Sequence, residues 1–263
     1  MILALALLLL SGQVESDCVR VARAGGCVRG GGRASAPSIP LCDVLQAGDK
    51  AGSWGCMYGD GTMSSGSVTS FTAFGTPTNT VENGAKVRVY TAGQFDQETS
   101  AAAFPASDFT VCSYLRTSTI TNRQLSGFGT GIAAVGSVVL PFELQINGGI
   151  RTFTSDGVTQ TGTGTSTTSP LPVTTGNWFL LCLAYTRVGG AANNVTELYA
   201  NGTLVNTDST ARLLQALNSQ WVTNGGTAGG GGTAGPLDTR GFFITYKRLT
   251  STDITRIYGA MSK

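Results

Sequence analysis

Histidine is absent from the 263-residue chain. That excludes a Ser-His-Asp triad, a Cys-His dyad and any His-ligated zinc site within it. Carboxylate, Lys, Tyr and Cys chemistry remain. Charge is scarce as well. Only 12% of residues are charged and the net charge is +2, where an average domain carries roughly a quarter. Four arginines cluster early, at Arg20, Arg23, Arg29 and Arg33, but no aromatics interleave for base stacking. They read as a solvated basic linker, and nucleic acid is not an expected partner. No C-x-x-C pair occurs, which weakens a thiolate metal site. The apolar run Ile2–Leu10 is shorter than the roughly 20 residues a bilayer span needs. Its length fits a signal-peptide core, with Val14 and Ser16 at the −3 and −1 positions of a cut before Asp17. No Lys or Arg precedes that run. The expectation is a signal peptide over residues 1–16 and a secreted or cell-surface product that is not an integral membrane protein once processed.

Glycine is abundant, at 37 residues, and 41% of the chain is hydrophobic. Abundant Gly with Ser and Thr suits a turn-rich β-protein, and the patterned apolar residues argue against disorder. There are six cysteines. An even count in an exported chain favours disulfides. Cys18, Cys27, Cys42 and Cys56 lie in a lead segment, residues 17–60, with little hydrophobic periodicity, which reads as an irregular extension stapled by two bridges. Cys112 and Cys182 fall inside apparent strands. They either bridge two strands or act as small buried apolar residues.

From about Ser67 the texture changes to strands. "AKVRVYTAG" alternates, with Val87, Val89 and Thr91 on one side. "SDFTVCSYLRTS" places Phe109, Val111, Ser113 and Leu115 on one face. "SVVLPFELQING" and "GIRTFTSDG" form a hairpin around Asn147-Gly148. "TQTGTGTSTTSP" reads as a loop or a frayed edge. "GNWFLLCLAYTRV" is apolar on both faces, which predicts a central strand covered on both sides. "VTELYANGTLVNTDS" is a hairpin whose Asn201-Gly202 suits a two-residue type I′ turn. "GGTAGGGGTAGP" is a flexible loop and "LDTRGFFITYKRLTS" a further strand. "TSTDITRIYGAM" is the convincing helix. Thr250 and Asp253 make a capping box, and Ile254, Ile257, Tyr258 and Met261 form its buried stripe. Many short strands, one terminal helix and no βαβ rhythm imply an all-β fold: a two-sheet antiparallel sandwich over 61–263.

The order of "DFTVCSYLRT", "GNWFLLCLAYT", "ELYANGTLV" and "GPLDTRGFFITYKRLTSTDITRIY" resembles the laminin-G-like branch of the concanavalin A-like lectin/glucanase superfamily. The matching positions are Phe109, Trp178, Tyr199, Asn201, Gly202, Leu237, Asp238, Leu249, Asp253, Ile254, Ile257 and Tyr258. The first strand carries Tyr114 near the place of the family's usual Trp. The resemblance implies a jelly roll with one short C-terminal helix, behind an irregular N-terminal extension. It also implies recognition of a glycan or an extracellular protein through rim loops. Calcium at a rim is implied too, for which Asp156 and Asp208 are the candidates; each equally reads as a turn Asp that caps local N–H groups. Trp221 and Tyr185 are candidate sugar-stacking platforms, although aromatics in a sandwich are by default buried. Trp178 reads as core.

The superfamily contains glycoside hydrolases, whose retaining members set two carboxyl groups about 5–5.5 Å apart. Asp96-Gln97-Glu98 is the nearest such cluster, and it sits in a turn-like "GQFDQETS" that reads as a solvated loop. No catalytic residue is assigned. "GFGTGIAAVG", residues 127–136, reads as a hairpin loop and not as a nucleotide site. The expected function is therefore an exported, non-catalytic recognition module. The alternative is a self-associating structural subunit of a surface layer, appendage or particle, in which the lead segment docks on a neighbour.

Overall fold

In the computed structural model, described residues are 18–20, 27–29, 39–64, 66, 71–91, 94–98, 107–118, 123–129, 142–146, 150–155, 160–164, 176–189, 193–211, 220–223 and 236–262. The chain divides into a short unit, Met1–Ala36, and a large one, Pro37–Lys263. In the first, β1 (Cys18–Arg20) pairs antiparallel with β2 (Cys27–Arg29).

The large unit opens with a 3-10 turn, Leu41–Asp43, and β3 (Trp54–Tyr58). Then come β4 (Phe71–Phe74), β5 (Thr78–Glu82), β6 (Ala85–Tyr90), β7 (Phe95–Glu98), β8 (Phe109–Thr117), β9 (Arg123–Gly129), β10 (Phe142–Ile146), β11 (Ile150–Ser155) and β12 (Gln160–Gly164). They are followed by β13 (Phe179–Thr186), β14 (Asn194–Ala200), β15 (Thr203–Ala211), β16 (Gln220–Thr223), β17 (Leu237–Thr245) and the helix α1 (Ser251–Met261). One sheet runs β12-β11-β10-β9-β16-β7-β4 and the other β15-β14-β13-β8-β17-β6-β5, with β3 added on β17. All the strand pairs are antiparallel.

The two faces of the eight-stranded sheet bury different cores. Phe109, Val111 and Leu115 of β8 lie in one cluster with Leu181 and Leu183 of β13 and Phe242 and Ile244 of β17. Phe71 of the other sheet packs edge-on to Phe242, with centroids 5.8 Å apart. The opposite face carries Cys112, Tyr114, Cys182, Tyr199 and Phe243, under Leu41, Leu45, Ile254, Ile257 and Met261. The central strand read from "GNWFLLCLAYTRV" is thus covered on both sides. "TQTGTGTSTTSP" contributes β12, an edge strand.

The helix forms where its cap predicts. Thr250 accepts from the Asp253 N–H at 3.2 Å and the Asp253 carboxylate accepts from the Thr250 N–H at 2.9 Å. Buried Ile254, Ile257 and Met261 each contribute about 1.5–3 kcal/mol of apolar burial. The Asn201-Gly202 turn also positions this helix. Asn201 and Gly202 have φ of 50° and 79°, as a type I′ turn requires. The Asn201 side chain accepts from the Leu180 N–H at 2.9 Å, and the Gly202 carbonyl accepts from the Thr255 hydroxyl at 2.7 Å. A Cβ on Gly202 would lie 3.1 Å from the Tyr258 Cβ and 3.2 Å from the Thr255 Cα. Gly202→Ala should therefore combine backbone strain with a displaced helix, and cost about 1–3 kcal/mol in urea unfolding. A loss below roughly 0.5 kcal/mol, the scale of an ordinary surface change, would show that the turn does not fix the helix.

Two expectations are corrected here. The sandwich does not start at residue 61. Residues 39–58 supply β3 and buried Leu41, Cys42, Leu45, Cys56 and Met57. Arg256 of α1 also donates to the buried Asp49 at 2.6 Å. This half of the lead segment docks on its own sheet. Within it Cys42 and Cys56 are bridged. Cys112 and Cys182, left open above, are both bridged and buried. The second correction is at "GQFDQETS": Asp96 is 1% exposed, in β7, and not in a solvated loop.

Candidate functional site

A β-bulge organises the outer face of the eight-stranded sheet. Thr239 of β17 stands opposite Leu115, and Gly241 stands opposite Tyr114, so Arg240 is the extra residue. A bulge re-aims the side chain it inserts. The Thr239 hydroxyl satisfies the distorted backbone: it donates to the Tyr114 carbonyl at 3.1 Å and accepts from the Gly241 N–H at 3.3 Å. Glycine at 241 lets the lead segment approach, since a Cβ there would meet the Leu41 Cβ at 3.0 Å.

The re-aimed Arg240 guanidinium lies 4.3 Å from the centroid of Trp178, and Arg116 lies 4.7 Å from it. Trp178 in turn stacks on Tyr114 at 5.4 Å. It is half-buried in this layered cluster, not enclosed in the inner core. Arg116 donates to Asp238 at 2.6 Å and to Glu82 at 3.0 Å. Arg240 is less well served. It reaches the Glu82 carbonyl at 3.2 Å and the Glu82 carboxylate only at 3.6 Å.

Beside this cluster opens a cavity of about 410 Å³. Ile39, Pro40 and Asp43 form one wall, Tyr58, Gly59 and Thr62 another, and Gly84, Ala85 and Lys86 a third; Tyr114 and Arg240 also line it. The third wall is the β5–β6 turn, Asn83-Gly84, where φ is 52° and 79°. Tyr58 donates to Asp43 at 2.8 Å, and Lys86 pairs with Asp60. Burial opposes the Asp60 charge, but the Lys86 and Thr62 hydrogen bonds win and hold its carboxyl at about 2.

Tyr114 is 1% exposed and Arg240 4% exposed. The Tyr114 hydroxyl and the Arg240 Nε–H have no hydrogen-bond partner among the described residues, and neither does the Trp178 indole N–H. Burial pushes the Tyr114 phenol well above its ordinary range, so it stays protonated and able to donate. Burial also pulls the Arg240 guanidinium below its ordinary value, against the raising effect of Glu82. Buried polar groups are normally paired, so these donors, closed to solvent behind the cavity wall, are exceptions within the fold.

Of the residues singled out from the sequence, Tyr185, Trp221 and Asp208 do not line this cavity. Tyr185 is 1% exposed and stacks on Phe109 at 5.2 Å, deep between the sheets. A sugar cannot reach its ring, so that expectation is corrected. Trp221 falls in β16, opposite Phe128 of β9. Asp208 is buried within β15, opposite Thr196, and not in a rim turn. Asp156 lies outside the described residues, as do all but the last residue of "GGTAGGGGTAGP" and most of "GFGTGIAAVG". Among the described residues, no three His, Cys, Asp or Glu side chains group to hold a metal ion. Asp238, matched in the family motif, is instead the partner of Arg116.

Tyr114 and Arg240 escaped sequence reading because nothing in a strand pattern marks a bulge. The Asn83-Gly84 dipeptide was the available signal for the third wall.

A family model of the concanavalin A-like lectin/glucanases superfamily matches residues 91–254. Comparison of the sequence with curated proteins returns no match. Among solved structures, domain 4 of a GH43 extracellular arabinanase from Geobacillus stearothermophilus, in complex with arabinotriose, is similar. It has a TM-score of 0.56 and 14% identity over 78% of this chain and 97% of that one. The botulinum neurotoxin type G receptor binding domain gives 0.55 and 12% identity, over 78% of this chain and 50% of that one. The binding domain of Paraclostridial Mosquitocidal Protein 1 gives 0.53 and 12%, over 73% and 47%. This chain spans about half the length of the two toxin binding domains. At these identities the likeness shows the fold alone.

Proposed function

The chain belongs to the concanavalin A-like lectin/glucanase superfamily, and from that premise we propose that it is an exported, non-catalytic recognition module that binds a glycan or an extracellular protein. The observation that carries this is the cavity of about 410 Å³ beside the β17 bulge, lined by Asp43, Tyr58, Thr62, Lys86, Tyr114 and Arg240. The loops that wall it lie at 39–43, 58–62 and 83–86. Binding by domains of this fold supports the reading: the arabinanase domain holds arabinotriose, and the toxin domains are named for receptor binding.

Support for export comes from the two disulfides, since such bridges persist in oxidising compartments. No helix among the described residues is long and apolar enough to cross a membrane. Support for a non-catalytic role comes from Asp96. Its carboxylate is buried in an ion pair with Arg88 and is unavailable to act beside Glu98 as an acid–base pair.

A glycan array and a pull-down against extracellular proteins test the proposal on the full chain. At least one glycan or protein class should be retained specifically. Blank results from both would refute it, and glycan hydrolysis that disappears in Glu98→Gln would refute the non-catalytic part.

A further inference from the structure

We infer that Asn83 is a site of self-modification, at which the side-chain amide is lost through a cyclic imide and the β5–β6 turn acquires a carboxylate. The inference is independent of the recognition role proposed above. Its chemistry is an intramolecular acyl transfer, favoured by the proximity of neighbouring groups. The Gly84 backbone nitrogen attacks the Asn83 Cγ and closes a five-membered ring. The Cγ–Nδ2 bond breaks, and ammonia leaves with the proton that the Gly84 nitrogen gives up. Water then reopens the imide at either carbonyl. Attack at Cγ gives aspartate. Attack at the backbone carbonyl gives isoaspartate, in which the main chain runs through the former side chain.

The step needs an unshielded nitrogen and an amide side chain free to meet it. Glycine after asparagine meets the first need, because no Cβ covers its nitrogen. The sequence holds that dipeptide at Asn83-Gly84, Asn147-Gly148, Asn201-Gly202 and Asn224-Gly225. Of these, the first and third are among the described residues. Both adopt the same left-handed turn, with φ of 52° and 79° at the first and 50° and 79° at the third. Backbone conformation therefore does not separate them, and their surroundings do.

Asn83 and Gly84 are exposed. Among the described residues, no hydrogen bond holds the Asn83 side chain or the Gly84 N–H. A Cβ on Gly84 would meet nothing within 4 Å. The turn hangs from β5, an edge strand whose first four residues are exposed. Opening it uncovers little apolar surface, so the excursion that brings nitrogen to Cγ is of low cost. Asn201 is pinned instead. Its side chain accepts from the Leu180 N–H at 2.9 Å and its own N–H donates to the Leu180 carbonyl at 2.8 Å. Gly202 is buried and its carbonyl is held by Thr255 of α1. Opening that turn would displace the helix.

The modification reaches the cavity wall, because Gly84, Ala85 and Lys86 line it. Isoaspartate adds a methylene to the main chain of a two-residue turn, and each conversion lowers the net charge of +2 by one.

The test is ageing of the intact protein in oxygen-18 water, followed by peptide mapping with fragmentation that separates isoaspartate from aspartate. Position 83 should exchange its amide for labelled oxygen at least about ten-fold faster than position 201, the factor that about 1.4 kcal/mol of extra opening cost supplies. Both products should appear there, and faster at mildly alkaline pH, because the attacking nitrogen must lose its proton. In urea the two positions should converge, since the protection of Asn201 belongs to the fold. Equal rates in the folded protein, aspartate without isoaspartate, or a rate ratio unchanged in urea would each overturn the inference. A blank glycan array and pull-down would refute the recognition role and leave this site standing.

Discussion

Replacing Asp96 with alanine should destabilise the protein by about 3–5 kcal/mol, the usual result of stranding one member of a buried ion pair. Asp96 is 1% exposed and Arg88 8%. Two parallel bonds join them, Nε to Oδ2 at 2.8 Å and Nη2 to Oδ1 at 2.7 Å. Arg88 also donates to Asn79 at 3.1 Å, and the Tyr90 hydroxyl donates to Asp96. Burial works against the guanidinium charge, yet the Asp96 hydrogen bonds more than offset it and Arg88 is raised overall. Removing Asp96 takes the carboxylate away from a buried cation and from the buried Tyr90 hydroxyl. Arg88 and Tyr90 lie on β6 of one sheet and Asp96 on β7 of the other, so the cluster ties the two layers together. It also holds the strand whose first residues, Ala85 and Lys86, wall the cavity. A double-mutant cycle with Arg88→Met should recover a large part of the loss, because apolar groups filling the same space can replace a buried pair. A loss under 1 kcal/mol in Asp96→Ala would show that water reaches the cluster and that the sheets do not depend on it.

This cluster also marks where sequence reading stops. Alternation along "AKVRVY" assigns Val87 and Val89 to one side and leaves Arg88 and Tyr90 on the other. Hydrophobicity alone sends that second side to solvent, whereas it faces the opposite sheet. What compensates a buried charge is a partner, and a partner on another strand has no local signature. The same limit applies to β3. "WGCMY" is short, holds a glycine and shows no clean alternation, and it is strand because it pairs with β17 near the far end of the chain. By contrast, β13, the Asn201-Gly202 hairpin and α1 were legible. A two-sided apolar run, a turn needing positive φ and a capping box are each set by residues within a few positions. The candidate site combines the two classes. The Asn83-Gly84 wall is local chemistry and could be read. The Arg240 bulge arises from register against β8, and the Tyr114 side chain becomes informative only when its neighbours are known.

The second large effect belongs to the bridge between Cys112 and Cys182. These residues stand directly opposite each other on β8 and β13 and are fully buried. The bond closes a loop with a sequence separation of 70 residues, against 14 for Cys42–Cys56. In the chain-entropy account, the longer loop restricts the unfolded ensemble more. The expected losses are about 4 kcal/mol for Cys112→Ala/Cys182→Ala and about 3 kcal/mol for Cys42→Ala/Cys56→Ala. Urea unfolding of both variants under the same conditions checks the ranking as well as the sizes. The site gives an independent readout. Cys112 is two residues before Tyr114 on the same strand face, and Cys182 follows Trp178 into β13, so the bridge fastens together the two segments whose aromatic rings stack beside Arg240. Because strand pairing and the surrounding core hold the same register without it, the variant that remains folded in the absence of denaturant should bind within about three-fold of wild type. A stability loss no larger than that of the short-loop variant would mean that the unfolded chain stays compact across those 70 residues, and the entropic account would fail for this protein. Full stability with lost binding would show instead that the bridge, and not the strand ladder, sets the geometry of the Tyr114–Trp178 stack.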